Sequence, residues 1–324
     1  MTAAFHADDP RVLHIARAAL DAFGLRDAAL TSLNSFNNAV YQVEAGGSRY
    51  ALRVQRPGGR RREWTQAELT WLNFLSGRLR VRAPAAPLFE ADLDGQPIYV
   101  VLFHWLYGAP IPPGETTPDH ARRIGAYIAQ LHNLSADFQP RRDFMLPRLD
   151  WNGMFGAGST YDPGAGAALF SHDDQAVMDA VAARVRDAMR ALDHDAGSFG
   201  LIHGDLNSKN LLFNGESVGA LDFDDCAWGY LLYDLTPALI GWKDTPQYDA
   251  LRAALWEGYT ALRPLTAAHL DTLLAGRFVL SCRWFARNIG NPTIRERAPA
   301  VIAHRIGQLR RYLETGNFNT GDLY

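Results

Sequence analysis

The sequence predicts an α+β protein of two lobes, a small antiparallel-sheet lobe over residues 1–104 and a larger, mainly helical lobe over residues 105–324. Three observations lead to this fold class. Short strand-like segments cluster before residue 104, and two of them are joined by a glycine turn. Beyond residue 230 nearly every segment has helical periodicity of its apolar residues. The composition, 48% hydrophobic and 21% charged, is that of an ordinary globular chain, long enough for about two domains.

In the N-terminal lobe, apolar residues at helical spacing predict helices over residues 10–23 and 63–79. Short segments that suit strands lie at 30–36, 39–44, 49–55, 88–91 and 97–103. Gly46 and Gly47 separate the second and third of these segments, and since two glycines suit a tight turn we expect a hairpin there. Asp94 and Gly95 indicate a similar turn between the last two segments.

In the C-terminal lobe, Thr117 is suited to cap a helix that continues to about residue 132. The segment 153–166 is rich in glycine and alanine, and we expect it to be mobile. Two short strands, 211–213 and 217–221, flank a turn at Asn214 and Gly215. Further helices are predicted at 174–193, 230–240, 248–262, 267–289 and 295–313.

The composition excludes several classes of protein. Lys and Arg total 32 and Asp and Glu total 35, a formal charge of −3, whereas a dedicated nucleic-acid binder carries a clear basic excess. The most apolar run, residues 98–106, is about half the ~20 residues that a membrane-spanning helix needs. We therefore expect no membrane partner, and the N-terminal pattern predicts no secretory signal. Cys226 and Cys282 are the only cysteines, which excludes a disulfide framework and favours a reducing cytoplasm.

The residues that suggest chemistry lie in two short motifs, HGDLNSKN at 203–210 and LDFDD at 221–225. Asp205 precedes Asn210 by five residues, and a predicted strand, turn and strand lead on to Asp222. This order can present all three side chains on one wall of a cleft. Phosphoryl transfer needs such groups, because a carboxylate must accept the proton of the attacking hydroxyl and oxygen ligands must hold Mg²⁺ on the nucleotide phosphates.

Together with the two-lobe layout, these motifs resemble those of the aminoglycoside phosphotransferase, homoserine kinase and choline kinase superfamily. This superfamily is the small-molecule branch of the protein-kinase-like fold, and the resemblance covers nearly the whole chain. It implies ATP and Mg²⁺ as cofactors, Asp205 as catalytic base, and Asn210 and Asp222 as metal ligands. Asp234 is similar to the structural aspartate that holds the catalytic loop in this superfamily.

One departure from the kinase pattern is an arginine in place of a lysine. Such kinases carry a lysine to the α- and β-phosphates on the strand where this chain has Arg53. Its partner on the following helix is predicted to be Glu68, with Glu63 as the second choice. Because arginine is longer and forked, three interpretations stay open. Arg53 binds the phosphates bidentately, or only pairs with Glu68, or is a surface arginine on an edge strand.

A second departure is the absence of a glycine-rich phosphate loop. Ser35, Asn37 and Asn38 take its place and are candidate phosphate-binding residues, because asparagine tolerates tight turns and its amide donates hydrogen bonds. An ordinary polar turn is the alternative. At the connection between the lobes, the backbone of such kinases meets adenine. The residues there are Phe103, His104, Trp105 and Leu106, and simple packing of the aromatic side chains is the alternative.

Three charged residues next to the motifs have two interpretations each. Lys209, one of only two lysines in the chain, either contacts the γ-phosphate in transit as part of the catalytic machinery or is a solvated loop residue. Asp224 and Asp225 either assist the metal or bind the acceptor, or one of them accepts hydrogen bonds within its own loop.

The expected acceptor is a small molecule with a hydroxyl group. Residues 240–324 carry 11 Lys and Arg against 7 Asp and Glu, which favours an acceptor with a carboxylate or phosphate over a polycation. Four of these arginines are clustered: Arg283, Arg287, Arg295 and Arg297. A solvated arginine-rich helix face is the alternative. A protein Ser/Thr kinase of the same fold and a nucleotide-binding pseudokinase are the competing functions, and the oligomeric state stays open.

Overall fold

The computed structural model of the chain describes residues 5–33, 38–192 and 197–319. These residues form two compact units. The first unit comprises Met1–Gly108, Phe138–Leu146 and Gly219–Asp224, and the second comprises Ala109–Asp137, Pro147–Val218 and Asp225–Tyr324. Neither unit is a single segment, because the chain returns twice to the first unit after Gly108. The boundary expected after residue 104 stays a prediction.

The first unit contains a five-stranded antiparallel sheet with the strand order β1-β2-β3-β5-β4. The strands are β1 (Ala29–Leu33), β2 (Ala39–Ala45), β3 (Ser48–Val54), β4 (Phe89–Leu93) and β5 (Gln96–His104). Gly46 and Gly47 close the predicted β2–β3 hairpin with φ of 56° and 77°, a backbone conformation that glycine adopts without strain. Because β3 is paired on both edges, it is an interior strand.

Two helices of the first unit confirm the predicted ones, α1 (Pro10–Ala22) and α2 (Arg62–Leu75). Asp9 caps α1 by accepting a hydrogen bond of 2.9 Å from the backbone N–H of Arg11. The buried face of α1 shares one hydrophobic core with the sheet, including Val12, Leu20, Leu52 and Val100. Helix α2 ends earlier than predicted, because the chain turns at Gly77 with a φ of 77°.

The second unit is mainly helical, as predicted. Its helices are α3 (Pro118–Asp137), α4 (Trp151–Phe155), α5 (His172–Leu192), α6 (Thr236–Trp242), α7 (Tyr248–Thr260), α8 (Leu270–Arg287) and α9 (Pro292–Thr315). Helices α3 and α7 approach closely through Gly125 and Gly258, where an added Cβ would overlap backbone atoms of the facing helix. In the described part of the chain, no helix has the length and hydropathy to cross a membrane.

Short strands in the second half of the chain differ in part from the expectation. The structure contains the predicted hairpin of β8 (Leu211–Asn214) and β9 (Ser217–Ala220). It also contains a three-stranded sheet that was not predicted, with the order β6 (Arg148–Leu149), β10 (Ala227–Tyr230) and β7 (Phe199–Ile202). The prediction that a helix begins at residue 230 was wrong. Strand β10 ends at Tyr230, and α6 begins only at Thr236, where Pro237 fits the first helical turn.

The segment 153–166, expected to be mobile, contains the end of α4 and the first residues of a 3₁₀ helix at Gly164–Leu169. Both pieces are held locally. The Asp150 carboxylate accepts from the backbone N–H of Gly153 at 3.0 Å, and the Ser159 hydroxyl donates to the carbonyl oxygen of Gly153 at 2.7 Å. Gly153 is thus hydrogen-bonded through both its N–H and its carbonyl oxygen, and the mobility of the segment stays a prediction.

Candidate active site

The loop between β7 and β8 carries Asp205 and Asn210 in direct contact. The Asn210 amide Nδ2 donates to the Asp205 carbonyl oxygen at 2.9 Å and to its carboxylate Oδ2 at 3.2 Å. Asn207 Nδ2 donates to the same Oδ2 at 2.8 Å. Gly204 precedes Asp205 with a φ of 82°, and an added Cβ there would overlap the carbonyl oxygen of Asp225, so only glycine fits. The Asp205 side chain is 20% exposed and thus reachable by a substrate.

Asp234 holds this loop from behind, as the resemblance implied. Its buried carboxylate accepts hydrogen bonds from the backbone N–H groups of His203 at 2.9 Å and Gly204 at 2.7 Å. The His132 ring lies 3.1 Å from the same carboxylate and 2.9 Å from the Tyr259 hydroxyl. Burial alone would raise the pKa of Asp234, but the contact with His132 and the hydrogen bond from His203 lower it below its ordinary value. The loop is thus fixed by a charged, fully bonded group.

Arg277 of α8 is a site residue that the sequence reasoning missed. Its Nη2 donates to Asp205 Oδ1 in a short contact, and its Nη1 donates to the Tyr233 hydroxyl at 3.1 Å and the Gly204 carbonyl oxygen at 3.5 Å. Burial by itself would lower the pKa of Arg277, but Tyr233 and Asp205 raise it well above its ordinary value. The one sequence signal was a lone charge within the apolar run 273–280.

In the first unit, Arg53 is buried on the interior strand β3 and is only 5% exposed. Its Nη2 donates to Glu68 Oε2 at 2.7 Å, so Glu68 and not Glu63 is the partner. Its Nη1 lies 3.7 Å from Asp222 Oδ1 and 3.6 Å from Asp224 Oδ1. The interpretation as a surface arginine on an edge strand is therefore wrong.

Asp222 and Asp224 face Arg53 in different ways. Asp222 has a φ of 57°, which is uncommon for a residue with a side chain and costs about 1 kcal/mol or more, and its side chain is 52% exposed. Asp224 accepts hydrogen bonds from Asn38 at 3.1 Å and Gln55 at 3.5 Å, both outside its own loop, so that neither interpretation of this residue is decided. Burial would raise the pKa of Asp224, but the charge of Arg53 contributes to lowering it.

The other predicted site residues have mixed surroundings. Ser35 and Asn37 lie outside the described residues, and the contact of Asn38 with Asp224 does not test its proposed role toward phosphate. Lys209 is exposed, and its backbone N–H donates to Asn207 Oδ1 at 2.9 Å. A phosphate-binding role for these residues stays a prediction.

At the end of β5, the Phe103 ring is buried and lies 5.2 Å from the Arg53 guanidinium carbon. His104 is exposed, and its backbone N–H donates to the Ala83 carbonyl oxygen at 2.9 Å. Leu106 follows β5 and is half-buried. That these backbone groups bind adenine stays a prediction.

The four clustered arginines expected to attract the acceptor are mostly at the surface. Arg287, Arg295 and Arg297 are exposed, and Arg295 donates to the Ile289 carbonyl oxygen at 3.0 Å. Arg283 is half-buried against Phe155. The arginine that contacts Asp205 is instead Arg277, one and a half turns earlier on the same helix as Arg283.

The two predicted metal ligands have the right chemistry for magnesium. Among the described residues, no three His, Cys, Asp or Glu side chains group as a metal site of their own. Mg²⁺ typically takes one or two carboxylates and completes its shell with phosphate and water oxygens. Asp222 carries a carboxylate, and Asn210, whose Nδ2 is bonded to Asp205, carries an amide oxygen on the other side of the same group. That these two residues hold one ion stays a prediction.

Comparison with known proteins shows consistent similarities. Residues 30–268 match the family described as "Phosphotransferase enzyme family". A homoserine kinase of Hyphomonas neptunium is 28% identical over 271 residues, 78% of each chain. The structure of a microcompartment-associated aminopropanol kinase is 25% identical, with a TM-score of 0.83, over 95% of this chain and 99% of that one. The structure of an amicoumacin kinase in complex with AMP-PNP, Ca²⁺ and Ami is 17% identical, with a TM-score of 0.76, over 97% of this chain and 96% of that one. These similarities confirm the predicted α+β, protein-kinase-like fold.

Proposed function

Since the chain belongs to the phosphotransferase enzyme family, we propose that it transfers the γ-phosphate of ATP to a hydroxyl group of a small molecule, with Asp205 as the base. The predicted family is confirmed, and so is the enzyme class, a kinase with an alcohol group as acceptor. The observation that carries the finer proposal is the loop itself. Asp205 contacts Asn210, and Asp234 fixes the backbone that precedes both.

In the proposed step, the acceptor oxygen forms a bond to the γ-phosphorus while the bond from that phosphorus to the ADP oxygen breaks. The hydroxyl proton passes to the Asp205 carboxylate, and ADP leaves with the bonding electron pair. Such transfer depends mainly on positioning and charge stabilisation. The hydrogen bonds from Asn207 and Asn210 keep the Asp205 carboxylate in one orientation, so that it can receive the proton at a defined place.

We further propose that Asn210 and Asp222 hold Mg²⁺, whose chemical contribution when bound is to neutralise charge on the phosphates. AMP-PNP in the structure of the similar amicoumacin kinase supports ATP as the nucleotide. Arg53 is proposed to serve both Glu68 and the phosphates. Nη2 of its guanidinium donates to Glu68. Nη1 lies 3.6 Å or more from the carboxylate oxygens of Asp222 and Asp224, so its hydrogens can be donated to a phosphate oxygen.

The test is phosphate transfer with a panel of small alcohols, measured both as ADP release and as phosphate ester formed. Asp205→Asn keeps the shape of the side chain but removes the base, so kcat should fall by about 10²- to 10⁴-fold. Asp187→Asn makes the same chemical change at an exposed position of α5 and should leave kcat unchanged. Asp222→Asn should raise the Mg²⁺ concentration that gives half of the maximal rate.

Other results would contradict the proposal. Full activity of Asp205→Asn would exclude this residue as the base. If the wild type binds AMP-PNP but transfers phosphate to no alcohol, the pseudokinase interpretation gains support. If it labels proteins and not small alcohols, the chain is a protein kinase.

A further inference from the structure

We propose that Arg277 recognises a carboxylate on the acceptor, so that the substrate is a small alcohol that also bears a carboxylate group. The inference rests on the proposed function, because it takes Asp205 as the base that the acceptor hydroxyl must reach. It assigns a substrate class to the site from the groups that surround this base.

The geometry around Arg277 is that of a cation with a single charged partner. In the described part of the chain, Asp205 is the one carboxylate that pairs with Arg277. Its other acceptors, the Tyr233 hydroxyl and the Gly204 carbonyl oxygen, are neutral. The Arg277 side chain is 16% exposed, so a small molecule that reaches Asp205 also reaches this guanidinium. A planar guanidinium offers paired donors that match a carboxylate.

The contact between Arg277 and Asp205 occupies the base. Arg277 binds Asp205 Oδ1, while Asn207 and Asn210 bind Oδ2. An acceptor with its own carboxylate offers Arg277 another anion, and the transfer of Arg277 to that anion frees Oδ1 for the acceptor hydroxyl. Binding of the correct substrate thereby prepares the base.

A second arginine adds to the positive charge of this region. Arg305 of α9 lies over the Phe278 ring, with its guanidinium carbon 5.1 Å from the ring centre, and its Nε has no hydrogen-bond partner among the described residues. Burial lowers the pKa of Arg305, and the charge of Arg277 lowers it further. A cation without a carboxylate would bring no anion to either arginine.

The experiment compares alcohols in pairs that differ by the carboxylate alone. The pairs are L-homoserine with 3-aminopropan-1-ol, L-threonine with 1-aminopropan-2-ol, and L-serine with 2-aminoethanol. For the pair with the higher activity, we expect the wild-type kcat/KM for the carboxylate-bearing alcohol to be about 10- to 150-fold higher, the range supported by one hydrogen bond to a charged group.

Three variants distinguish recognition of the acceptor carboxylate from general damage to the protein. Arg277→Gln should bring the kcat/KM ratio close to one, and Arg277→Lys should retain part of it, because lysine keeps the charge but lacks the forked donors of arginine. Arg190→Gln makes the same change at an exposed position of α5 and should keep the wild-type ratio. A purely structural role of Arg277 would lower kcat/KM for both members of a pair and leave their ratio unchanged.

A binding measurement distinguishes failure of this inference from failure of the proposed function. Asp205→Asn removes the anion that competes for Arg277, so by calorimetry with AMP-PNP it should bind the carboxylate-bearing alcohol several-fold more tightly than the wild type. If Asp205→Asn still transfers phosphate, the proposed base is wrong. The inference on Arg277 is overturned if the wild type favours the amino alcohols, if Arg277→Gln keeps the ratio, or if none of the carboxylate-bearing alcohols binds.

Discussion

Replacement of Arg53 by methionine should destabilise the protein by about 3–5 kcal/mol, because it leaves a buried carboxylate without its cation. Glu68 is 0% exposed and receives the Arg53 guanidinium at 2.7 Å. Its other oxygen, Oε1, has no hydrogen-bond partner within the described ranges. No second cation is paired with Glu68 in those ranges, so the loss of Arg53 is not compensated.

The magnitude can be separated into charge and packing. Methionine is flexible and apolar and fills much of the volume of the arginine stem, so the cavity contributes little. The charge contribution depends on Glu68, and the double variant Arg53→Met/Glu68→Leu removes both charges. Replacement of a complete buried ion pair by apolar residues is often close to neutral. The double variant should therefore be more stable than Arg53→Met by about 2 kcal/mol or more. If the two substitutions acted independently, their losses of stability would instead add.

The assay is urea unfolding of the wild type, both single variants and the double variant. Tryptophan fluorescence reports on all eight tryptophans of the chain. One of them, Trp71, is fully buried against the Phe223 ring, with ring centroids 5.4 Å apart. Circular dichroism at the same urea concentrations tests whether one transition describes the whole chain. A loss below about 1 kcal/mol for Arg53→Met, or additive losses in the double variant, would refute the reasoning about this pair.

Three further predictions concern single residues. Gly258→Ala would place a methyl group against the Arg122 carbonyl oxygen and should lower the free energy of unfolding, measured in urea, by about 1–3 kcal/mol or more. An unchanged urea midpoint would contradict the close packing of α3 and α7. Asp222→Gly relieves a φ of 57° and should stabilise by about 1 kcal/mol while phosphate transfer falls; retained transfer contradicts its role. Asp234 has a lowered pKa, so its contribution to the free energy of unfolding should be complete above pH 3.8 and be lost as the pH falls below that value. The difference in unfolding free energy between the wild type and Asp234→Asn should therefore become smaller in acid. A difference that does not change with pH would contradict this prediction.

Local patterns explain which elements of the fold could be predicted. The β2–β3 hairpin follows from alternating residues and a two-glycine turn, signals contained within 17 residues, 39–55. Strand β10 has only four residues, and its pairing partner β7 lies more than 20 residues earlier in the chain. Gly229 permits this pairing, since an added Cβ would overlap the Ile202 side chain. Such a contact leaves no periodic pattern in the sequence around it, and no strand is predicted there from the sequence.

The residues of the candidate site also differ in whether the sequence could reveal them, and the sequence distance of their contacts is again the reason. Asp205 and Asn210 could be identified because their contact is made within one loop, five residues apart. Arg277 contacts Asp205 across 72 residues, and the packing of α8 alone decides which side chain reaches the base. Three of the four arginines that the sequence emphasised, on α8 and α9, are exposed because charged side chains are most easily accommodated in water. A lone charge in an apolar run was the better indicator of the arginine that contacts Asp205.

Two arginine–carboxylate pairs in this chain differ in what they can do, and exposure is the reason. Glu68 is fully buried and depends on Arg53, so separating this pair would leave a charge without water or a hydrogen-bond donor. Asp205 is partly exposed and is also bonded by Asn207 and Asn210, so it keeps donors when Arg277 moves away. A carboxylate with several donors can exchange one of them for a substrate at small cost. The first pair therefore maintains the structure of its unit, and the second is suited to recognition.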